Sequence, residues 1–360
     1  MLQAKSRAER YTLAFICAAL SSSYATAQTD NPTSSAVDEE LVVIGSRLPT
    51  QPYKLGNVVT TLDEPALDSL GLQYAADSFR FVPGVAVNRT GGFGGFTQLR
   101  VRGAEANHVL VLVDGIDVSA AGTGEFDFSS LLAGDLQRIQ VLRGPQSGLY
   151  GSNSLGGVIS IQTLDPQEGL EVRSGLEGGS NDVLQGLLSV SGGSQRFKGR
   201  ISVLHRQSDF DLSVDDTFGP EEDEDENLTI SAKGSFIAND RLRFDLVGRY
   251  NNKDTQIDGF DFSGGELQGL AIDAPGFTDT EDLTLGGRVT LTALDGRWIN
   301  LLSLERTDSE TDGGTFGSES GRTRVALSSA LEWSDIGRVG QRSTAFFEFE
   351  EETFRNTVPF

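Results

Sequence analysis

The chain has 360 residues, a formal net charge of −23, 38% apolar residues and a single cysteine. So acidic a surface repels nucleic-acid phosphates and excludes that class of partner. No segment after the first 27 residues approaches the roughly 18 consecutive apolar residues of a membrane helix. That excludes a helical membrane protein but not a membrane barrel, whose alternating strands keep overall hydropathy near neutral.

Residues 1–27 carry the marks of a secretory signal peptide. Lys5, Arg7 and Arg10 precede an apolar run over 11–20 that is too short to span a bilayer, and Ala25-Thr26-Ala27 supplies an A-x-A cleavage signal. Cleavage removes three cations and Glu9, a net +2, which takes the charge from −23 to −25. Cys17 lies in the part removed, and the preceding Ile16 is too large for a lipoprotein signal, so no disulfide is expected in the mature chain.

Residues 28–50 read as a solvated linker with one β-prone run. The composition over 28–38 is Thr, Asp, Asn, Pro and Ser. Leu41, Val42, Val43 and Ile44 follow, between a flexible leader and a folded domain. Four apolar residues alone read as a short edge strand; in this position they are suited to pairing edge-on with a partner strand.

Residues 51–163 read as a compact domain of mixed helices and strands, large enough for a small core. A short helix through Asp77-Ser78-Phe79 is predicted to end at Pro83. Predicted strands cover 86–89, 98–102, 108–113, 139–142 and 158–161, and a helix is predicted over 131–137. The loop between the last two strands holds Gly144, Pro145, Gly148, Gly151, Gly156 and Gly157, which leave little room for a helix and point to a close approach to its backbone. Two further glycine-rich loops run over 90–97 and 119–126. Neither precedes a helix with the lysine or ribose-binding acid that a nucleotide loop requires. Taken alone they are flexible turns, and Arg100, Arg102, Arg138 and Arg143 are solvated strand residues.

Three stretches change that reading. L-R-V-R-G at 99–103, H-V-L-V-L-V-D-G at 108–115 and I-Q-V-L-R-G-P-Q-S-G-L-Y-G-S-N-S-L-G-G-V-I-S-I-Q-T at 139–163 resemble the plug domain of TonB-dependent outer-membrane transporters. Within that family, the order A-N-H-V-L-V-L-V-D-G-I, L-Q-R-I-Q-V-L-R-G-P, Y-G-S-N-S-L-G-G-V-I-S-I is most similar to that of cobalamin transporters. The resemblance implies that Leu41, Val42, Val43 and Ile44 form the TonB box. Only about ten residues separate the box from the cleavage site, too few for an extra signalling domain. It further implies that Arg102 and Arg143 hold the plug to carboxylates of the barrel wall, a task that suits the planar guanidinium fork. Both glycine-rich loops become apical loops that touch the ligand, with Phe93, Phe96, Thr97, Ser119, Thr123 and Phe126 as the candidate contacts.

After residue 163 the texture changes to runs of about ten residues that alternate apolar and polar. Phe197, Gly199, Ile201 and Val203 oppose Lys198, Arg200 and Ser202; Leu242, Phe244, Leu246 and Tyr250 oppose Arg243, Asp245 and Arg249. Short links at 191–194, 238–240, 293–296 and 334–337 take turns with long ones at 207–226, 251–280 and 307–320. Outer-membrane barrels show that pattern, with short periplasmic turns and long extracellular loops. The expected fold is therefore an α+β plug over 51–163 followed by antiparallel transmembrane β-barrel strands over 164–360, about nine of them. A barrel of about eight to ten strands has an interior filled by side chains and no room for a plug. The chain thus reads as part of a longer one, the family's barrel having about 22 strands. Phe360 reads as a coincidence rather than an assembly signal, because Pro359 stands where a strand would run.

The link 207–226 holds ten acids and no base. Crowded carboxylates repel one another unless a hard cation or solvent screens them. In cobalamin transporters, acidic residues in a loop at this place bind calcium, and the resemblance implies a calcium role for Asp209, Asp211, Asp223 and Asp225. The run 221–226 lacks the spaced pattern of a dedicated calcium loop, which leaves a solvated acidic tip as the other reading. Catalysis has little support: His108 and His205 read as structural, and neither H-E-x-x-H nor G-x-S-x-G occurs.

The expected function is TonB-dependent uptake of a scarce, bulky nutrient across the outer membrane, by a transporter and not an enzyme. The expected partners are TonB, the ligand and outer-membrane lipid. Cobalamin or a related corrinoid is the first substrate, with an iron siderophore, haem or a glycan as the alternative. An outer-membrane enzyme or adhesin on a small barrel and a soluble secreted sandwich are the rival classes, and the plug motifs argue against both.

Overall fold

The computed structural model describes residues 58–92, 94–210, 223–262, 264–266, 268–314, 316–336 and 339–357. The signal segment, the linker with Leu41, Val42, Val43 and Ile44, and Phe93 and Asp211 lie outside the described residues.

The chain enters the plug on β1 (Val58–Asp63) and turns at once into α1 (Glu64–Leu70). The Asp63 carboxylate accepts the amide proton of Ala66 at 3.1 Å, Pro65 occupies the first turn, and Gly71 at φ 58° ends the helix. Next come α2 (Ala75–Ser78) and a 3-10 turn at Phe79–Phe81, which stops before Pro83 as predicted. β2 (Val85–Arg89) and β3 (Thr97–Val101) form a hairpin around the first glycine-rich loop. β4 (Val109–Val113) and β5 (Ile116–Asp117) lead to β6 (Leu136–Arg143), a single helical turn α3 (Ser147–Tyr150) and β7 (Gly157–Thr163). The main plug sheet has the order β1-β6-β7-β4-β5, with β4 parallel to β7 and its other pairs antiparallel. Every residue of β4 is buried, as expected of a strand covered on both faces. Phe79, Leu99, Val111, Phe128, Leu131, Ile139 and Ile159 lie in the larger cluster, with Phe128 edge-on to Phe79 and Phe126.

Two predictions in this domain are corrected. Residues 131–137 are not helical: Leu131 and Leu132 are fully buried, and β6 begins at Leu136. The Ala75 amide donates to Leu131 O at 3.0 Å and the Ala133 amide to Gln73 O at 2.8 Å. Bonds to a distant segment thus displace the i to i−4 bonds of a helix, and Gly134 weakens the local preference further. The glycine-rich loop between β6 and β7 does hold helix, the single turn of α3 and a 3-10 turn at Ser152–Ser154. The expected close approach occurs at its end, where a Cβ on Gly156 would stand 2.7 Å from that of Ala104.

A second sheet follows, of nine strands in sequence order: β8 (Gly169–Gly178), β9 (Leu184–Gly193), β10 (Phe197–Phe210), β11 (Asp223–Asn239), β12 (Leu242–Phe260), β13 (Ala271–Ala293), β14 (Trp298–Asp312), β15 (Gly317–Ile336) and β16 (Val339–Asn356). Each pairs antiparallel with the next. Their pleat reverses the usual arrangement: Leu170, Phe197, Ile201, Leu246, Leu304 and Phe347 face outward and exposed, while Ser189, Ser202, Arg206, Asn227 and Thr229 are buried against the plug side. An apolar outer face and a polar inner face are what a barrel wall in lipid requires.

Where described, the long links are largely strand. β12 and β13 stay paired to Ile257↔Gly276, and β14 and β15 to Asp312↔Gly317. Beyond the apolar band both faces carry polar residues, so the period-two contrast that marks a strand disappears while the backbone ladder continues.

Candidate functional site

The inner face of the nine-stranded sheet supplies cations and the plug supplies their acceptors. Lys233 on β11 meets Asp114 at 2.6 Å and Asp165 at 3.2 Å, and donates to Thr163 O at 2.7 Å. Arg322 on β15 reaches Asp117 at 3.1 Å and donates to Ser119 O at 2.8 Å. Lys253 on β12 pairs with Asp127 at 3.3 Å and also bonds the Ser129 hydroxyl. Arg200 on β10 donates to Asp165 O at 2.9 Å. Near the edge of the seam, Arg173 of β8 pairs with Glu64 of α1.

The most enclosed junction contains Tyr74, Arg206 and Asp225. Arg206 Nη1 lies 3.0 Å from Asp225 Oδ2 and 2.9 Å from the Tyr74 oxygen, and Thr255 donates to Asp225 Oδ1 at 3.0 Å. The guanidinium carbon stands 4.8 Å from the Tyr74 ring centre. Leu204 and Leu187 of the wall close the junction against Tyr74 and Leu132. Burial, and then the charge of Asp225, push the Tyr74 hydroxyl pKa well above its ordinary value.

Burial also dominates two plug acids. The Asp117 carboxyl is pushed up despite Arg322 at 3.1 Å and the Ser119 amide at 2.9 Å. Asp135 is pushed up as well, its Oδ2 accepting the Ser231 hydroxyl at 2.8 Å with Arg249 only at 3.8 Å.

Among the described residues the plug arginines expected to anchor to the wall bond within the plug. Arg143 donates to Pro83 O at 2.6 Å and to the Thr60 hydroxyl at 3.0 Å, so it clasps β1 to the plug itself. Arg102 is exposed at φ 53°, and its amide donates to Gly84 O at 2.8 Å. Among the described residues neither meets a barrel carboxylate. The seam is legible in sequence only as inward lysines and arginines, and nothing local assigns them partners.

Above the plug, its two glycine-rich loops and the upper parts of β11–β15 enclose a cavity of about 530 Å³. Phe96, Thr123 and Phe126 of the predicted contacts line it. Thr97 and Ser119 do not; both are buried beneath, where the Thr97 amide donates to Asp127 Oδ1 at 2.9 Å and the Ser119 amide to Asp117. They shape the loops and lie outside the cavity lining. Glu125, Lys253, Asp258, Asp282 and Phe316 also line the cavity and were not predicted, because their convergence depends on the register of β12 and β13 and on the seating of the plug loop against them.

The three described members of the predicted calcium set, Asp209, Asp223 and Asp225, do not converge. Asp209 falls in the outward series of β10 with Ile201 and Gln207, whereas Asp223 and Asp225 are buried on the inward series of β11. The pleat therefore places them on opposite faces, and Asp225 is already bonded to Tyr74, Arg206 and Thr255. Among the described residues no group of three or more His, Cys, Asp or Glu side chains is placed to hold a metal.

Residues 52–158 match the model of the TonB-dependent Receptor Plug Domain. The Vitamin B12 transporter BtuB of Photobacterium profundum is 30% identical over 227 residues, 61% of this chain and 36% of that relative. The ferripyoverdine receptor of the outer membrane of Pseudomonas aeruginosa superposes with a TM-score of 0.70 at 18% identity, over 88% of this chain and 45% of that one. The siderophore receptor PiuA from Acinetobacter baumannii does so with a TM-score of 0.67 at 16% identity, over 88% and 49%. The chain thus spans about a third of the curated relative and under half of these structures. Residues 52–158 thus carry a plug domain of the TonB-dependent receptor family, and the strands that follow share the fold of these receptors.

Proposed function

We propose that the protein takes up a bulky nutrient across the outer membrane, the ligand seating in the apical cavity between the glycine-rich loops and the upper strands. The observation that carries the reading is the placement of that cavity directly above a plug bolted to the wall by the buried Lys233–Asp114 and Arg322–Asp117 pairs and the Tyr74 hydrogen bonds. The apolar outer face of β8–β16 meets lipid, the plug blocks the passage, and transport requires work on the plug. Leu41, Val42, Val43 and Ile44 precede the edge strand β1, and they supply the β-prone segment on which TonB pulls by strand pairing. The signal segment over 1–27 exports the chain. The reading is of a transporter rather than an enzyme.

A corrinoid such as cobalamin is the first substrate, supported by the 30% identity to a vitamin B12 transporter. An iron siderophore is the second, favoured by the receptors that share the fold. Uptake and binding of labelled cobalamin by cells expressing the full-length gene test this, wild type against Val42→Pro. Binding retained with uptake lost is expected. Absence of cobalamin binding would overturn the corrinoid reading and favour the siderophore.

A further inference from the structure

We propose that the apical cavity selects ligands without net negative charge, neutral or cationic molecules rich in amide or ammonium donors, over anionic metal chelates. The inference rests on the reading of this cavity as the ligand site. Its charged lining consists of Glu125 and Asp127 from the plug and Asp223, Lys253, Asp258 and Asp282 from the wall. Lys253 is the one cation among the described lining residues, its side chain is 3% exposed, and its ammonium is committed to Asp127 and the Ser129 hydroxyl. Five carboxylates against one committed cation give the lining an excess of negative charge.

The other described lining residues do not offset it. Thr255, Thr278, Thr280 and Thr311 are uncharged, and Phe96, Phe126, Ile257 and Phe316 add apolar surface. Charge of one sign between low-dielectric walls focuses the potential into the cleft, so an incoming anion meets repulsion that water screens poorly. Polar donors on a neutral ligand meet acceptors instead.

The test reads the potential and the ligand separately, in the full-length receptor in detergent and in a background otherwise free of cysteine. Thr123→Cys puts a thiol on the cavity wall, and its rates with a trimethylammonium and a sulfonate methanethiosulfonate are each normalised to a free thiol. The cationic reagent is expected to react at least about tenfold faster, and Glu125→Gln combined with Asp258→Asn should lower that ratio. Equal rates, or a faster anion, would overturn the proposal. Ligand protection is then measured with cyanocobalamin, a cationic ferric trihydroxamate and an anionic ferric tris-catecholate. Protection by the first or second at lower concentration than the third is expected. A tris-catecholate that protects best overturns the selectivity. A high rate ratio with no protection by any probe overturns the ligand-site reading, and the selectivity with it.

Discussion

Tyr74 donates its hydroxyl proton to Asp225 Oδ2 at 2.6 Å, and through that bond the plug and β11 share one buried carboxylate. Removing one partner of a buried charged pair leaves the other uncompensated, whereas removing the phenol leaves Asp225 with Arg206 and Thr255. Tyr74→Phe should therefore cost about 1–2 kcal/mol and Asp225→Ala about 3–5 kcal/mol. Urea unfolding of the full-length receptor, followed by plug fluorescence or proteolysis, measures both. Equal losses would mean that Arg206 finds another partner.

The seam makes a second prediction because its cations sit on the wall. Lys233→Ala and Arg322→Ala should speed amide exchange in β4 and β5, which carry or adjoin Asp114 and Asp117. Arg143→Ala should instead loosen β1, since its guanidinium bonds Thr60 and Pro83. Hydrogen exchange by mass spectrometry resolves the two patterns.

Stability should depend on pH through Asp117 and Asp135. Their folded pKa values are raised by burial, so the fold favours the protonated acids. Their contribution is fully present below the unfolded carboxylate value of about 3.9 and is lost as pH rises through the folded values. Asp135→Asn keeps an acceptor for Ser231 and should flatten this slope in unfolding midpoints measured across that window. An unchanged slope would assign the titration to other groups.

Glycines 91 and 94 offer an internal control. Both adopt positive φ, 78° and 82°, so alanine at either carries the same backbone strain. A Cβ at Gly91 meets nothing within 4 Å, whereas at Gly94 it would collide with the Asp225 carboxylate. Gly94→Ala should thus weaken ligand binding and plug stability by more than Gly91→Ala, in the same binding and unfolding assays.

The outer face makes the last prediction. Leu304 points outward on β14 and is 58% exposed, so Leu304→Arg should cost about 2–4 kcal/mol in a bilayer if it lies near midplane depth. Ser303, one residue earlier, is buried on the inner face, and Ser303→Ala should alter plug contacts without changing membrane insertion. Folding into liposomes and into detergent separates the two effects.

Much of the architecture was legible because it rests on local periodicity. Alternation at 197–203 and 242–250 marked strands with one apolar face, and about nine strands were expected where nine are paired. The motifs at 99–103, 108–115 and 139–163 marked the plug, and Pro83 marked the end of α2 and its 3-10 extension. β1 and α1 escaped notice, although Asp63, Pro65 and Gly71 are a complete set of helix signals. What tertiary structure decided was which residues meet. Leu131 and Leu132 gave up a helix because partners distant in sequence took their backbone bonds. Asp209 and Asp225 are close in sequence terms yet lie on opposite faces, since the pleat turns each residue away from the next. Arg143 bonds β1 and Pro83, and the seam rests on Lys233, Arg206 and Arg322, whose plug acceptors Asp114, Tyr74 and Asp117 lie more than a hundred positions away. Periodicity is a property of neighbours along the chain and can be read there; the cavity and the seam depend on strand register and on the seating of one sheet against another.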